Sequence, residues 1–421
     1  MIYSPLMKYR HRVLALLFLL SMITYIDRVC IGFAGPRMQA DVGLTPEQYG
    51  LVLSAFALAY MIFEIPSGAW GDKAGPRKLL TRIVVWWSVF TSLTGAAKNY
   101  TWLLITRFLF GAGEAGAYPN ASGAISRWFP AAERGRAQGI VWMASRVGGA
   151  FTPFLVVPIQ AHYGWRSSFY VFGILGLIWG IVWFTWFRDH PSEKKGVSQE
   201  ELDEIGAGSS PPAHVKLPWG TVFRSSNFWI ILLMYHLYCY GAFFFLSWYP
   251  TFLVKGRGFD DAELLSYSWL PFVLGAIANM GGGWVSDRLV TRVGLKWGRR
   301  TVGLIGLGTS ATFIFATALT HDKLLSVIFL AIGFAASDFM LPVAWAVCLD
   351  VGKKYAGTVT GAMNTAGQLG SFTVAAAFGF VVTAFGGNYD APLYPMAALM
   401  GLSTLLWLKI DPTRPLVPGD D

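Results

Sequence analysis

Apolar stretches of roughly 20 residues succeed one another along almost the whole chain, each long enough to cross a bilayer as a helix. Their approximate limits are 13–35, 47–70, 79–97, 101–123, 137–159, 167–187, 227–253, 262–286, 301–319, 323–348, 356–384 and 391–409. In hydrocarbon a spanning backbone must satisfy its own hydrogen bonds, so only closed barrels and helices are viable there. The lengths fit helices. We therefore expect an all-α integral membrane protein with twelve transmembrane helices. Of 421 residues, 54% are hydrophobic and only 14% charged, too few charges to cover a soluble globule. The basic start from Lys8 to Arg12 leads into an apolar run with no small-residue cleavage site. That run continues into Tyr25-Ile26-Asp27-Arg28, so we read a first span and not a removed signal peptide.

The net charge of +9 is compatible with nucleic acid or with a membrane, and position decides between them. The N-terminus, the even-numbered connections and the C-terminus together hold 23 of the 33 Lys and Arg residues. The odd-numbered connections hold six, Arg37, Lys98, Arg166, Lys255, Arg257 and Lys323, and four more lie within spans. Alternation by loop is the positive-inside pattern and puts both termini in the cytoplasm. It excludes a nucleic-acid binder, whose basic residues would gather on one face. Cys30, Cys239 and Cys348 fit no zinc spacing, and their odd number gives no disulfide framework. No metal or cofactor is expected.

The longest connection, 188–224, divides the chain into expected units 1–187 and 225–421. Its charged run from Ser192 to Glu204 and its Gly/Ser/Pro-rich continuation to Pro212 read as a solvated tether, with room for a short helix. A repeat supports the division. Gly68-Ala69-Trp70-Gly71-Asp72-Lys73 closes the second span, and Gly283-Trp284-Val285-Ser286-Asp287-Arg288 closes the eighth, 215 residues later. The same offset relates Thr45-Pro46-Glu47-Gln48 to Asp260-Asp261-Ala262-Glu263, two N-cap patterns opening those spans. Two matches at one offset indicate duplicated six-helix bundles related by pseudo-symmetry.

Gly68-x-x-x-Asp72-Lys73-x-Gly75-x-Arg77-Lys78 resembles the loop motif of the major facilitator superfamily, and Gly283-x-x-x-Asp287-Arg288 its second copy. The resemblance implies that Gly68, Asp72, Arg77, Asp287 and Arg288 form gating latches. A narrower likeness covers nearly the whole chain. It rests on Tyr25-Ile26-Asp27-Arg28, Arg107-Phe108-x-x-Gly111-x-Gly113-Glu114-x-Gly116, Pro119-Asn120, Arg127-Trp128-Phe129-Pro130, Gly164-Trp165-Arg166 and Arg188-Asp189-His190-Pro191. In this order they resemble the anion:cation symporter family. That family includes bacterial hexuronate, aldonate, glucarate and phthalate permeases and is similar to animal sialic-acid and glutamate carriers. The likeness implies proton-coupled uptake of an organic anion.

Charges inside the spans are costly and should face the interior cavity. Arg107 and Glu114 are seven residues apart, about 20° short of two turns, so they share a face about 10.5 Å apart along the helix. Glu114 can bind and release a proton, and an anion that draws an Arg away would favour protonation. A fixed ion pair with Arg107 is the alternative. Arg28 is expected to face the cavity and bind a carboxylate through its planar fork. Asp27, on the next position, should face the fourth helix as a second proton carrier. The family resemblance implies the same roles for Asp27, Arg28 and Glu114. Arg146 stands in the fifth span without a carboxylate nearby in sequence, where relatives of the family carry Gln or another polar residue. A second cavity cation suggests a dicarboxylate or a hydroxyl-rich acid; the alternative is pairing with Glu64 or Asp338.

The resemblance also implies a hydroxyl contact to substrate from Tyr60. Asn364 and Gln368 share a face of the eleventh span and can bond substrate or a neighbouring helix. Tyr235, Tyr238, His236 and Trp345 can line the second wall or simply pack. Glu64 stands where the family usually has a neutral polar residue, and Cys30 where Asn is frequent.

We thus expect a monomeric, multi-pass carrier of the inner (plasma) membrane that imports a small organic anion, a sugar acid or other carboxylate, with protons. An uncoupled facilitator or exchanger of the same fold remains open. A membrane-embedded enzyme would need a nucleophile or metal cluster, and the six histidines form no such spacing. A transport-dead sensor would typically carry an added signalling domain. No phosphate-binding loop of the GxxxxGK[ST] type is present, so ATP is not the driving force.

Overall fold

The computed structural model describes residues 8–206 and 218–417, apart from the side chains at 65, 68, 69, 71–73, 131, 132 and 354. Among the described residues the chain makes twelve helical crossings and no strand. The first three are Tyr9–Val42, Pro46–Ala74 and Pro76–Gly95, and the fifth and sixth are Ala131–Tyr163 and Trp165–Trp186. The seventh is Ser226–Ser247, the tenth Lys323–Gly352, the eleventh Ala356–Ala384 and the twelfth Leu393–Leu406. Leu270–Leu319 is helical throughout except at Gly294, whose φ of +80° reverses the chain and separates the eighth crossing from the ninth. Seven of these helices qualify as spans on length and hydropathy alone. The others carry charges, glycines or a break, the marks of crossings buried among neighbours.

Several helices run past the apolar stretches that identify them. The first continues to Val42 and carries Arg37 on its last turns, because hydropathy registers only the part that sits in hydrocarbon. The fourth crossing departs further. In place of one helix over 101–123 there are two, Tyr100–Glu114 and Ala117–Trp128. Ala115 turns extended (φ −55°, ψ 132°), and Gly116 takes φ +90°. A side chain on Gly116 would collide with Ser67, so glycine is required on both counts. Pro119 follows at the third position of the second half-helix, where its missing N–H costs nothing.

The repeat is visible in the caps. Gln48 N donates to Thr45 Oγ1 at 3.3 Å, and Thr45 N donates to Gln48 Oε1 at 3.1 Å. At the equivalent place Glu263 N donates to Asp260 Oδ1 at 2.8 Å, and Asp260 N donates to Glu263 Oε2 at 3.0 Å. Both are reciprocal capping boxes. Lys323 Nζ also donates to both Glu263 oxygens, at 2.9 and 2.7 Å.

In the first bundle the first crossing packs on the fifth, the third on the sixth and the second on the fourth. In the second bundle the eighth and ninth pack on the tenth, and the seventh on the eleventh and twelfth. Between bundles the second meets the eleventh, the fifth the eighth, and the first the seventh. At the end away from the chain termini these contacts are close. Arg37 Nη2 bonds Asp261 at 2.5 Å, Lys255 Nζ bonds Gln39 Oε1 at 2.9 Å, and Thr251 Oγ1 donates to the Gly32 carbonyl at 3.3 Å. Gly50 lies so near the Ala375 carbonyl that an added Cβ would sit 2.6 Å from it, and Gly379 abuts the Pro46 carbonyl. At the termini end, Arg10–Glu133, Arg127–Asp189, Arg299–Asp287 and Lys296–Asp411 each stay within one bundle.

The charged part of the long connection is not a free tether. Gln199–Ile205 forms a helix docked on the start of the first crossing. Glu201, only 3% exposed, accepts from Tyr9 N at 3.2 Å and Arg10 N at 2.9 Å, and Glu204 pairs with Lys8 and Arg10. The first helix has no side-chain cap of its own, so its orphan N–H groups draw in a carboxylate from more than 190 positions away. Such a partner is invisible to local reading. Glu201→Ala should cost about 1–2 kcal/mol, the worth of a lost cap. Fluorimetric melting of the detergent-solubilised protein should show a lower midpoint, whereas Glu204→Ala, removing half-exposed pairs, should leave it nearly unchanged.

Candidate functional site

The break in the fourth crossing positions the site. Glu114 is the last residue before the break, fully buried, and its Oε1 accepts from Arg28 Nε at 2.5 Å. Its other oxygen has no hydrogen-bond partner. Arg28 comes from the first crossing and sits among four rings, with Cζ 5.4 Å from Tyr25, 5.3 Å from Phe56, 4.9 Å from Tyr60 and 6.0 Å from Tyr118. Its side chain keeps 10% of its surface accessible while Glu114 keeps none. The cation is thus the reachable member of the pair.

The ion pair is therefore Arg28–Glu114, and the alternative of a fixed Arg107–Glu114 pair is corrected. Arg107 does share the buried side of the fourth helix, but its guanidinium lies over Phe110 at 4.3 Å and Phe56 at 5.4 Å. The Arg107–Glu114 spacing along the axis is too long for direct contact. Asp27 is 2% exposed, and neither of its oxygens has a hydrogen-bond partner. Arg107, Glu114 and Trp87 are its neighbours, so it does face the fourth crossing.

A second charged pair joins the two bundles. Arg146 of the fifth crossing holds Asp338 of the tenth through Nε to Oδ2 at 2.8 Å and Nη2 to Oδ1 at 2.8 Å. Of the two partners left open for Arg146, Asp338 is the one it meets. Tyr238 Oη donates to Asp338 Oδ1 at 3.4 Å. Glu64, the other acid, bridges the bundles separately, with Asn364 Nδ2 donating to its two oxygens at 2.8 and 2.9 Å.

The aromatic candidates form a chain between the pairs. Tyr118 stacks on Trp142 at 4.5 Å, Trp142 meets Trp345 at 5.9 Å, and Trp345 Nε1 donates to Tyr235 Oη at 3.3 Å. Tyr60 is buried beneath Arg28. Gln368 is half-buried one turn beyond Asn364. His236 is set apart, its Nδ1 3.1 Å from the Ala366 carbonyl where the seventh crossing packs on the eleventh. Tyr25, Phe56, Tyr118 and Trp142 escaped sequence reasoning, although Tyr25 and Tyr118 lie one turn from Arg28 and Glu114.

The loop motifs lie at the termini end, away from this cluster. The side chains of Gly68 and Asp72 fall outside the described residues. Arg77 N donates to Asp189 Oδ1 at 2.8 Å, placing a carboxylate at the start of the third crossing. In the second copy Arg299 binds Asp287 at 2.9 Å and Asp350 at 3.1 Å, while Arg288 lies 5.4 Å over the Trp284 ring. Arg299 is thus the cation of that copy, and Arg288 is turned toward an aromatic surface.

Comparison with known proteins agrees with this arrangement. Residues 17–375 match the family model described as Major Facilitator Superfamily. The chain is 38% identical over 409 residues to a probable sulfoacetate transporter of Cupriavidus necator, covering 96% of this chain and 94% of that protein. It is 31% identical to the hexuronate transporter of Bacillus subtilis, covering 88% and 87%, and 29% identical to a D-galactonate transporter of Escherichia coli, covering 96% and 96%. The fold matches crystal structures of a bacterial homolog of the human lysosomal transporter Spinster in inward-facing form. The unoccupied state gives a TM-score of 0.78 and the occupied state 0.80, both at 19% identity, covering 97% and 96% of this chain and 97% of the other. A twelve-crossing chain with paired charges buried between two helical bundles, matched over most of its length, belongs to the Major Facilitator Superfamily and is a transporter, not an enzyme.

Proposed function

We propose that the protein is a proton-coupled symporter that imports a small organic anion, a sugar acid or other carboxylate or sulfonate, by alternating access. The supporting observation is the buried bond between Arg28 and Glu114. It makes one guanidinium serve two anions in turn. With the site empty, Glu114 is ionised and neutralises Arg28. An arriving anion takes the fork of Arg28, and a buried carboxylate deprived of its cation is far less costly when protonated. Loading the anion therefore loads a proton, and release of either favours release of the other. Asp27, with Arg107 beside it, supplies a second proton position. Tyr60, Asn364, Gln368, Tyr235 and Trp345 orient the uncharged part of the ligand.

Units 1–187 and 225–421 rock about this centre as a monomer, with the loop motifs around Asp72, Arg77, Asp287 and Arg288 as latches. The distribution of Lys and Arg supports a reading in which both termini lie on the cytoplasmic side of the inner membrane. The ties through Arg37 and Lys255 then close the outer end, so this conformer opens inward. The relatives' names support the anion class, and sulfoacetate, hexuronates and galactonate are the first candidates.

Proteoliposomes with an imposed pH gradient test the coupling. Glu114→Gln should abolish accumulation above the external concentration while counterflow exchange persists. Undiminished accumulation by the variant would reject the coupling role of Glu114, and wild type that only equilibrates the anion under the gradient would point to a facilitator or exchanger. Arg28→Ala should weaken anion binding on the order of 100-fold, the cost of removing one partner of a buried charge pair. Titration calorimetry giving wild-type affinity would reject that role.

A further inference from the structure

Arg28 and Arg146 are held alike. Each presents its Nε/Nη2 edge to a fully buried carboxylate from another crossing, and each keeps about a tenth of its own surface accessible (10% and 12%). Both flank Tyr25. The guanidinium carbons lie 5.4 and 6.0 Å from that ring's centroid, so no more than 11.4 Å separates them. They differ in one respect. Arg28–Glu114 lies inside the first bundle, whereas Arg146–Asp338 ties the first bundle to the second.

We infer that Arg146 and Asp338 form a second anion position, and that the carried ligand is a short dianion whose two acidic groups engage Arg28 and Arg146 together. This deepens, and rests on, the anion-transport reading above. Charge-assisted bonds place each acidic oxygen about 2.8 Å from its donor. Two guanidinium carbons no more than 11.4 Å apart lie within reach of one small ligand that carries an acidic group at each end. A carboxylate or sulfonate at each end of a one- or two-carbon spacer fits.

The second acidic group would displace Asp338 as the first displaces Glu114. Asp338 is built for that exchange. Tyr238 of the seventh crossing keeps a hydroxyl on it, and Gly275 of the eighth leaves its carboxylate room, since an added Cβ would sit 2.8 Å from Oδ2. On the tenth crossing itself Phe334 adds only an apolar ring, which lies 5.5 Å from the Arg146 guanidinium carbon. A monoanion on Arg28 leaves the tie between bundles in place. A dianion undoes this one tie, with Asp338 taking up a proton as Glu114 does.

The test uses the full-length protein in detergent and in proteoliposomes. Thermal shift and inhibition of counterflow are measured with sulfoacetate, malonate, acetate and methanesulfonate. Wild type should prefer the two dianions by about tenfold or more, the worth of one further charged contact. The paired variant Arg146→Gln with Asp338→Asn keeps a hydrogen-bonding couple across the bundles. It should retain its melting temperature and lose the preference for dianions. A merely structural role predicts instead that this variant keeps the preference. That result overturns the inference, as does a wild type that binds monoanions and dianions equally or responds to neither. Failure of the symport reading looks different: dianions bind preferentially, yet no pH gradient drives their accumulation.

Discussion

An ionised side chain inside a membrane-spanning bundle is tolerated only beside an opposite charge or a dense set of hydrogen bonds, and this constraint organises the whole interior. Arg28 with Glu114 and Arg146 with Asp338 are its two central solutions. In both, the carboxylate is fully buried and the arginine side chain keeps about a tenth of its surface accessible. Exchangeable partners are what a carrier needs. A charge paired permanently within protein could bind nothing, and one left bare would destabilise the fold.

The backbone serves this arrangement. The fourth crossing stops at Glu114 because Gly116 turns left-handed and a new half-helix starts at Ala117. A continuous helix would carry Glu114 in a regular turn among its neighbours. The break frees the last carbonyls of one half-helix and the first N–H groups of the next at the depth of the ion pair, where polar groups are useful. Aromatic rings complete the enclosure. Tyr25, Phe56, Tyr60 and Tyr118 surround the Arg28 guanidinium with negative ring faces.

Much of this was legible in sequence because it is written in local patterns. Crossing number follows from apolar runs, and the two capping boxes follow from residues three apart at one offset. The identity of the buried charges was also plain, since Arg28, Arg107, Glu114 and Arg146 stand out in apolar surroundings. Their pairing was not. Glu114 lies 86 residues from Arg28, and Asp338 lies 192 from Arg146, so which charge meets which depends on bundle geometry that no local pattern carries. The docked helix over Gln199–Ile205 was read as tether for the same reason, its partner being the distant start of the first crossing. The rings around Arg28 were hidden because Tyr and Phe in a span are ordinary packing residues until a cation is placed among them.

The contact of Gly50 with the Ala375 carbonyl, and of Gly379 with Pro46, has a mechanical consequence. Where main chain lies directly on main chain, no rotamers interlock and little hydration is trapped. Parting two such surfaces asks for no side chain to change its torsions, and rejoining them asks for no search through alternatives. Resistance to parting at this end is therefore concentrated in the few polar ties through Arg37, Lys255 and Thr251.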